Sequence, residues 1–173
     1  MSSHPKHPAT VHFPITFITL TGFLDLFHIT ATSPSTAPLI ASALKTLEIQ
    51  IPQGTIPHLS YYTTVLILIT SVPAMISGAA ELMPLIKRDG LGSRKAQTGV
   101  LHAVFNDLAT FGAAYNWWSR RAVVGFEPNA TNVFISTALA LPACLFATYL
   151  GGALVYTYGM GVGRGRSQAK KAQ

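Results

Sequence analysis

The chain has little charge and almost no cysteine. Only 10% of its 173 residues are charged and 49% are hydrophobic. That is too little polar material to cover the surface of a soluble domain of this size. Its one cysteine, Cys144, excludes an intramolecular disulfide and a cysteine metal cluster. Because basic residues are not interleaved with aromatic residues that stack bases, no nucleic-acid partner is predicted.

Lysine and arginine are absent from four long apolar stretches, which cover residues 11–30, 60–86, 99–118 and 132–158. A helix rises about 1.5 Å per residue, so each stretch is long enough to cross a hydrocarbon core about 30 Å thick. Residues 59–80 contain no charge, and no polar face at helical spacing interrupts them. The sequence therefore predicts an all-α integral membrane four-helix bundle.

The basic residues outside these stretches predict the orientation. Four of them lie in residues 87–95 and four more in the tail, whereas only Lys45, Arg120 and Arg121 fall on the opposite side. Basic loops stay on the cytoplasmic side of a membrane, so the N- and C-termini are predicted on the cytoplasmic or matrix side. We divide the chain into an N-terminal inner segment (1–10), one transmembrane domain (11–159) and a flexible basic tail (160–173). The sequence does not identify the membrane.

Three of the six acidic residues, Asp25, Glu81 and Asp107, lie inside the apolar stretches. An unpaired ionisable residue in a bilayer costs a few kcal/mol, so such residues usually face the interior of a bundle and pair with one another. Following the chain up and down through the membrane places the polar residues of the stretches at two levels, an inner and an outer one.

The inner level gathers a predicted binding cluster from all four helices: His12, Glu81, His102, Asn106 and Tyr156. Two histidines on different helices of a bundle can bind haem iron axially, and a carboxylate can orient the second ring nitrogen. We therefore predict His12 and His102 as ligands of a b-type haem, or as hydrogen-bond partners of a quinone. The plainer interpretation is that these residues only hydrogen-bond the helices together.

The outer level is a looser, secondary cluster of Asp25, His28 and His58, with Tyr61 or Tyr62 close by. Two further functions stay open. Asp25, Asp107 and Glu81 would form an acidic relay for protons or ions, although the gaps between them need bridging water. Alternatively, the chain is a non-catalytic subunit of a larger membrane complex and packs through small-residue faces. We assign no catalytic residue.

The predicted partners follow from these functions. Membrane lipids surround the bundle, and the basic loop and tail suit anionic head groups. Redox or other membrane-complex subunits, and further copies of the chain in an oligomer, are the protein partners that such a bundle would take.

Particular residues also carry a resemblance. They are His7-Pro8 and Val11-His12-Phe13-Pro14 at the start, Asp25, Gly78 to Glu81, His102 with Asn106, and Gly151 to Tyr156 followed by Gly159, Gly161 and Val162. In these positions the chain resembles the predicted membrane proteins of domain-of-unknown-function family 2231. Some bacterial members look fused to Rieske-type iron–sulfur domains, so the resemblance implies a role in electron transfer. This sequence has no Cys-His iron–sulfur motif after its fourth stretch.

Overall fold

The structure, a computed structural model, describes residues 7–160. Every regular element in that range is helical, which confirms the all-α prediction. The elements are α1 (His7–Thr10), α2 (His12–Thr32), α3 (Ala37–Thr46), α4 (Thr55–Asp89), α5 (Arg94–Arg120), a 3-10 turn (Val124–Phe126), α6 (Ala130–Phe134), a π-helix (Ile135–Ala140) and α7 (Leu141–Tyr156). Of the predicted inner segment only residues 7–10 are described, and the tail beyond residue 160 lies outside the described residues.

Three helical passes are long and apolar enough to cross a membrane: His7–Thr32, Thr55–Asp89 and Val124–Tyr156. They contain the first and second predicted stretches and all but the last two residues of the fourth. The third stretch lies in α5, which has 27 residues but is interrupted by His102, Asn106 and Asp107 and is not one of the three. The structure thus has four long helical segments, but only three are apolar enough to span a membrane; α5 has the length of a spanning helix without the hydropathy, and the predicted count of four spans is met only approximately.

The three passes and α5 pack side by side in an antiparallel ring. α2 packs on α4, α4 on α5 and α5 on α7, and the π-helix and α7 close the ring against α2. Gly90 ends α4 with a φ of +72°, and Ser93 caps α5 because its Oγ accepts a hydrogen bond from the Ala96 N–H at 3.2 Å. This short turn lies at one end of the bundle, called here the His102 end. The opposite end, where α2 finishes and α4 begins, is called the Asp25 end.

Many polar side chains are buried and many large apolar side chains are exposed, the reverse of the usual pattern in a soluble protein. The buried positions include ten polar or charged residues: Thr21, Asp25, Ser60, Thr63, Thr64, Ser71, Asn116, Arg120, Asn132 and Ser136. Large apolar side chains instead cover the outside, among them Phe111 and Ile76, which are 67% and 66% exposed. Midway between the two ends, Ile18, Ile67 and Cys144 belong to a small apolar core. Such a surface suits a hydrocarbon solvent.

A π-helix interrupts the fourth pass immediately before Pro142. Proline lacks a backbone N–H and its ring clashes with the carbonyl four residues earlier; the wider π turn, in which the Leu141 N–H donates to the Ser136 carbonyl, relieves that clash. α2 approaches this segment at Gly22. A Cβ at Gly22 would lie 3.2 Å from the Ser136 carbonyl oxygen and 3.2 Å from a Leu141 methyl carbon. A hydrogen at this position therefore permits the close contact between α2 and the π-helix.

We expect Gly22→Val to destabilise the bundle by about 1–3 kcal/mol, because the added atoms overpack a tight backbone contact. The measurement is the thermal midpoint of the detergent-purified protein. Gly152→Val is the matched control, since nothing lies within 4 Å of the position its Cβ would take. Equal midpoints for the two variants would contradict the assigned role of Gly22.

Candidate functional site

Each end of the bundle holds a cluster of polar side chains. At the Asp25 end, Asp25 on α2 and Arg120 at the last turn of α5 are both fully buried, and Arg120 Nη1 lies 3.5 Å from Asp25 Oδ1. A buried charge is costly unless it is paired and its remaining polar atoms are hydrogen-bonded. The partners of both side chains therefore decide whether this pair is stable.

Serine hydroxyls complete the shell around the carboxylate. Ser136 on the π-helix donates to Asp25 Oδ2 at 2.6 Å, and Ser60 on α4 donates to Asp25 Oδ1. The position of Ser136 depends on the close approach at Gly22, which is one helical turn before Asp25.

The guanidinium is equally well satisfied. Its Nη1 donates to Ser60 Oγ at 3.0 Å, its Nη2 to the Pro57 carbonyl at 3.1 Å, and its Nε to the Phe126 carbonyl in the 3-10 turn at 2.9 Å. One side chain thus ties α5 to α4 and to the loop that leads into the fourth pass. We conclude that the Asp25 end is a closed structural cluster.

A pair of asparagines extends this cluster along α5. Asn116 Nδ2 donates to the Asn132 carbonyl at 3.0 Å, and Asn132 Nδ2 donates to Asn116 Oδ1 at 3.0 Å. The Asn132 side chain also forms a capping box with Asn129 at the start of α6. These bonds fix the start of the fourth pass against the end of α5.

The sequence analysis placed Asp25 in this region but grouped it with His28 and His58. In the structure His28 is half-buried, and His58 is exposed with its Nδ1 2.7 Å from the carbonyl of Gly54. Neither ring hydrogen-bonds to Asp25. Arg120 was missed because it was read as a loop residue.

A signal for Arg120 was present in the sequence. Ala109, Ala113, Asn116 and Arg120 recur at intervals of three and four residues, which marks one face of a helix, and all four are buried. Extending the third stretch by two residues would have put Arg120 on that face.

At the His102 end, two histidine rings pack edge-on against each other. His7 on α1 and His102 on α5 have ring centroids 6.0 Å apart and planes at 89°. His102 Nδ1 lies 2.7 Å from the Ala147 carbonyl oxygen, and His7 Nδ1 lies 3.1 Å from the Ala74 carbonyl oxygen. A carbonyl only accepts, so in both neutral rings Nδ1 carries the hydrogen and Nε2 keeps its lone pair.

Two glycines make room for these rings. A Cβ at Gly78 would lie 2.9 Å from His7 Cε1, and one at Gly151 would lie 3.1 Å from His102 Cε1. The glycines were read from the sequence as small residues for helix packing. The structure shows that what packs against them is an imidazole ring.

Asn106 and Glu81 complete the cluster, which we call the histidine cluster: His7, Glu81, His102 and Asn106. Asn106 Nδ2 donates to the His102 carbonyl at 2.8 Å and lies 3.3 Å from His102 Nε2. Glu81 Oε1 accepts a hydrogen bond from the His7 backbone N–H at 3.4 Å. Three of the predicted inner residues are thus brought together.

The other two predicted residues, His12 and Tyr156, lie apart from this cluster. His12 is exposed and Tyr156 is 82% exposed. Helical residues advance about 100° each, so His12 lies about 140° around the helix from His7. His7 therefore faces His102 in the position predicted for His12.

The histidine cluster adjoins an open cleft of about 300 Å³. Glu81 lines it, together with Leu85, Lys95 and Met160 among others. In residues 7–160 no group of three or more histidine, cysteine or acidic side chains lies close enough to hold a metal ion. The imidazole nitrogens of His7 and His102 are among the donor atoms at this end.

We expect Arg120→Met to destabilise the protein by about 3–5 kcal/mol, because it leaves the Asp25 carboxylate buried without a counter-charge. The double variant Asp25→Asn/Arg120→Met should recover part of that loss, since both charges are gone. Chemical or thermal unfolding in detergent measures both. Arg121→Met is the matched control because Arg121 is exposed; a loss as large as that of Arg120→Met would contradict the role of the ion pair.

The comparisons with known proteins agree with this architecture. Residues 3–164 match the model of the family described as predicted membrane protein (DUF2231). No curated protein and no solved structure matches the chain. The match spans nearly the whole sequence and agrees with three passes long and apolar enough to cross a membrane. The chain is therefore an integral membrane protein and belongs to the DUF2231 family of predicted membrane proteins.

Proposed function

We propose that this protein is a small membrane redox module that binds a b-type haem or a quinone at its histidine cluster. The observation that supports this most directly is the edge-on pair of His7 and His102. Each ring is oriented by a backbone carbonyl at Nδ1, which leaves Nε2 as the nitrogen with a lone pair, and the contact of His102 Nε2 with Asn106 is long at 3.3 Å. A ring held in this way is typical of a histidine that ligates a metal.

The residues fit a haem in their donor chemistry. Haem iron is commonly held by imidazole nitrogens, and His7 and His102 would offer one from each of two helices. The contact between Asn106 Nδ2 and His102 Nε2 is long at 3.3 Å, so a ligand competes there with a weak hydrogen bond. When bound, such a group supplies one-electron chemistry.

The same residues fit a quinone by hydrogen bonding. An Nε2 lone pair on His7 or His102 accepts a hydrogen bond from a hydroxyl of the reduced form, and Asn106 Nδ2 donates to a carbonyl of the oxidised form. Glu81 lies beside His7 and lines the open cleft, so the site would have a route to water.

The test is the visible absorption spectrum of the detergent-purified protein, expressed with an adequate supply of haem and recorded oxidised and after dithionite reduction. We expect a reduced-minus-oxidised band in stoichiometric amount. The band should be lost in His7→Ala and His102→Ala, because each removes one axial ligand, and kept in His12→Ala.

The His12→Ala variant is the matched control, since that ring is exposed and in the same helical pass as His7. Loss of the band in His12→Ala alone would contradict the assignment of His7. A featureless wild-type spectrum would exclude haem. Binding of a short-chain quinone, weakened in His102→Ala, would then be the surviving arm of the proposal, and failure of both arms would overturn it.

The two alternative functions differ in the residues whose substitution should abolish them. An ion or proton pathway should depend on Asp25 and Asp107 more than on the histidines, and it has to cross the apolar core around Ile18 and Ile67. A non-catalytic subunit should show neither the reduced-minus-oxidised absorption band nor quinone binding. Its function should depend on a partner subunit.

A further inference from the structure

The connection between α2 and α4 contains a helix that the sequence analysis did not predict. α3 covers Ala37–Thr46 and has no buried residue. Its neighbour in the fold is α2. Leu39 is 71% exposed, and Leu47, which follows the helix directly, is 66% exposed. A helix of ten residues is too short to cross a membrane, so these side chains need another apolar environment.

The residues of α3 divide into two faces. At 100° per residue, Leu39, Ala43 and Leu47 fall within about 80° of one another, and Ile40 and Leu44 continue the same arc toward α2. Lys45 lies on the opposite side and Ser42 lies about 140° from Leu47, whereas Thr46 lies beside Leu39 at the edge of the apolar face. A short helix with one apolar and one polar face, the latter carrying a base, is typical of segments that lie in a membrane interface.

The position of α3 identifies which surface covers its apolar face. α2 is a membrane pass that ends at Thr32, five residues before α3 begins. On the last turns of α2, Leu26 and Ile29 are 45% and 40% exposed, so the lipid-facing surface of α2 continues to the level of α3. Lys45 is the only charged residue of α3, which favours a phosphate-bearing head group beside it.

We propose that α3 is an interfacial helix that lies in the lipid head-group layer at the Asp25 end, with Leu39, Ala43 and Leu47 at the boundary of the acyl chains. The occupant of this apolar face is phospholipid. Binding of α3 to phospholipid adds an anchor that fixes the depth and rotation of the first pass. This anchor is independent of any group at the histidine cluster.

The test uses single cysteines at exposed positions, Leu39→Cys and Leu47→Cys on the apolar face and Ser42→Cys on the polar face as the matched control. Each carries a polarity-sensitive fluorophore, and the full-length protein is reconstituted in phosphatidylcholine vesicles with a quencher attached high on the acyl chain. The native Cys144 is buried, so the unsubstituted protein should take up no label and serves as the blank.

We expect the labels at positions 39 and 47 to emit at shorter wavelength and to be quenched by the lipid about threefold more than the label at 42, since only they reach the acyl boundary. Equal quenching at 47 and 42, which lie about 140° apart around the helix, would overturn the proposal. A short-wavelength emission at 39 without lipid quenching would also overturn it, because the face would then lie against a second copy of the chain.

Discussion

The buried ion pair of Asp25 and Arg120 constrains four segments of the chain at once. The two charges lie where salt does not screen them and water does not solvate them, so the arrangement holds only while each oxygen and nitrogen keeps its partner. Ser60, Ser136, Pro57 and Phe126 supply those partners. The last turn of α5, the first turns of α4, the π-helix and the loop before α6 therefore have one mutual arrangement that satisfies the pair. Close packing at Gly22 follows from the same requirement, because Ser136 has to reach a carboxylate on α2.

The two ends of the bundle differ in how completely their polar atoms are used. At the Asp25 end both charged groups are enclosed and bonded to protein on all sides. At the His102 end each ring is held by a carbonyl at Nδ1, the contact of His102 Nε2 with Asn106 is long at 3.3 Å, and Glu81 lines an open cleft. One end is thus a closed structural cluster, and the other is a polar cluster beside an opening.

The helices could be predicted from the sequence because long uncharged runs have few alternatives in a membrane. The position of Asp25 near one end of the first long helix followed from counting residues along the first of these runs. Arg120 was out of reach only because the third stretch was ended at Trp118; the spacing of Ala109, Ala113 and Asn116 carried the information. His7 was harder to foresee. Which of two histidines five residues apart faces inward depends on the rotation of the first pass about its axis, and hydropathy does not report that rotation when lipid-facing and core-facing residues are equally apolar. The helix α3 was missed for a different reason: its ten residues lie in a connection, residues 31–59, that was read as a loop because it is rich in proline and threonine, although the three alanines of α3 favour a helix.

Arg120 also changes the count of charges used for orientation. A buried guanidinium is paired with its carboxylate and does not act as a loop base, so among residues 7–160 the loop bases at the Asp25 end are Lys45 and Arg121. Leaving Arg120 out lowers the number of bases on the predicted outer side, in the direction that the rule for basic loops requires. That both termini share the side of residues 87–95 stays a prediction.

The histidine cluster joins positions that are far apart in the order of synthesis. His7 belongs to the first described helix, whereas the carbonyl that orients His102 comes from Ala147 on the last. During insertion, the first three passes are threaded before the residue that fixes the His102 ring has left the ribosome. The two rings therefore take up their observed arrangement only when all four long helices are inserted. Any group held there would bind after the bundle has assembled, and its presence would report that the bundle is closed.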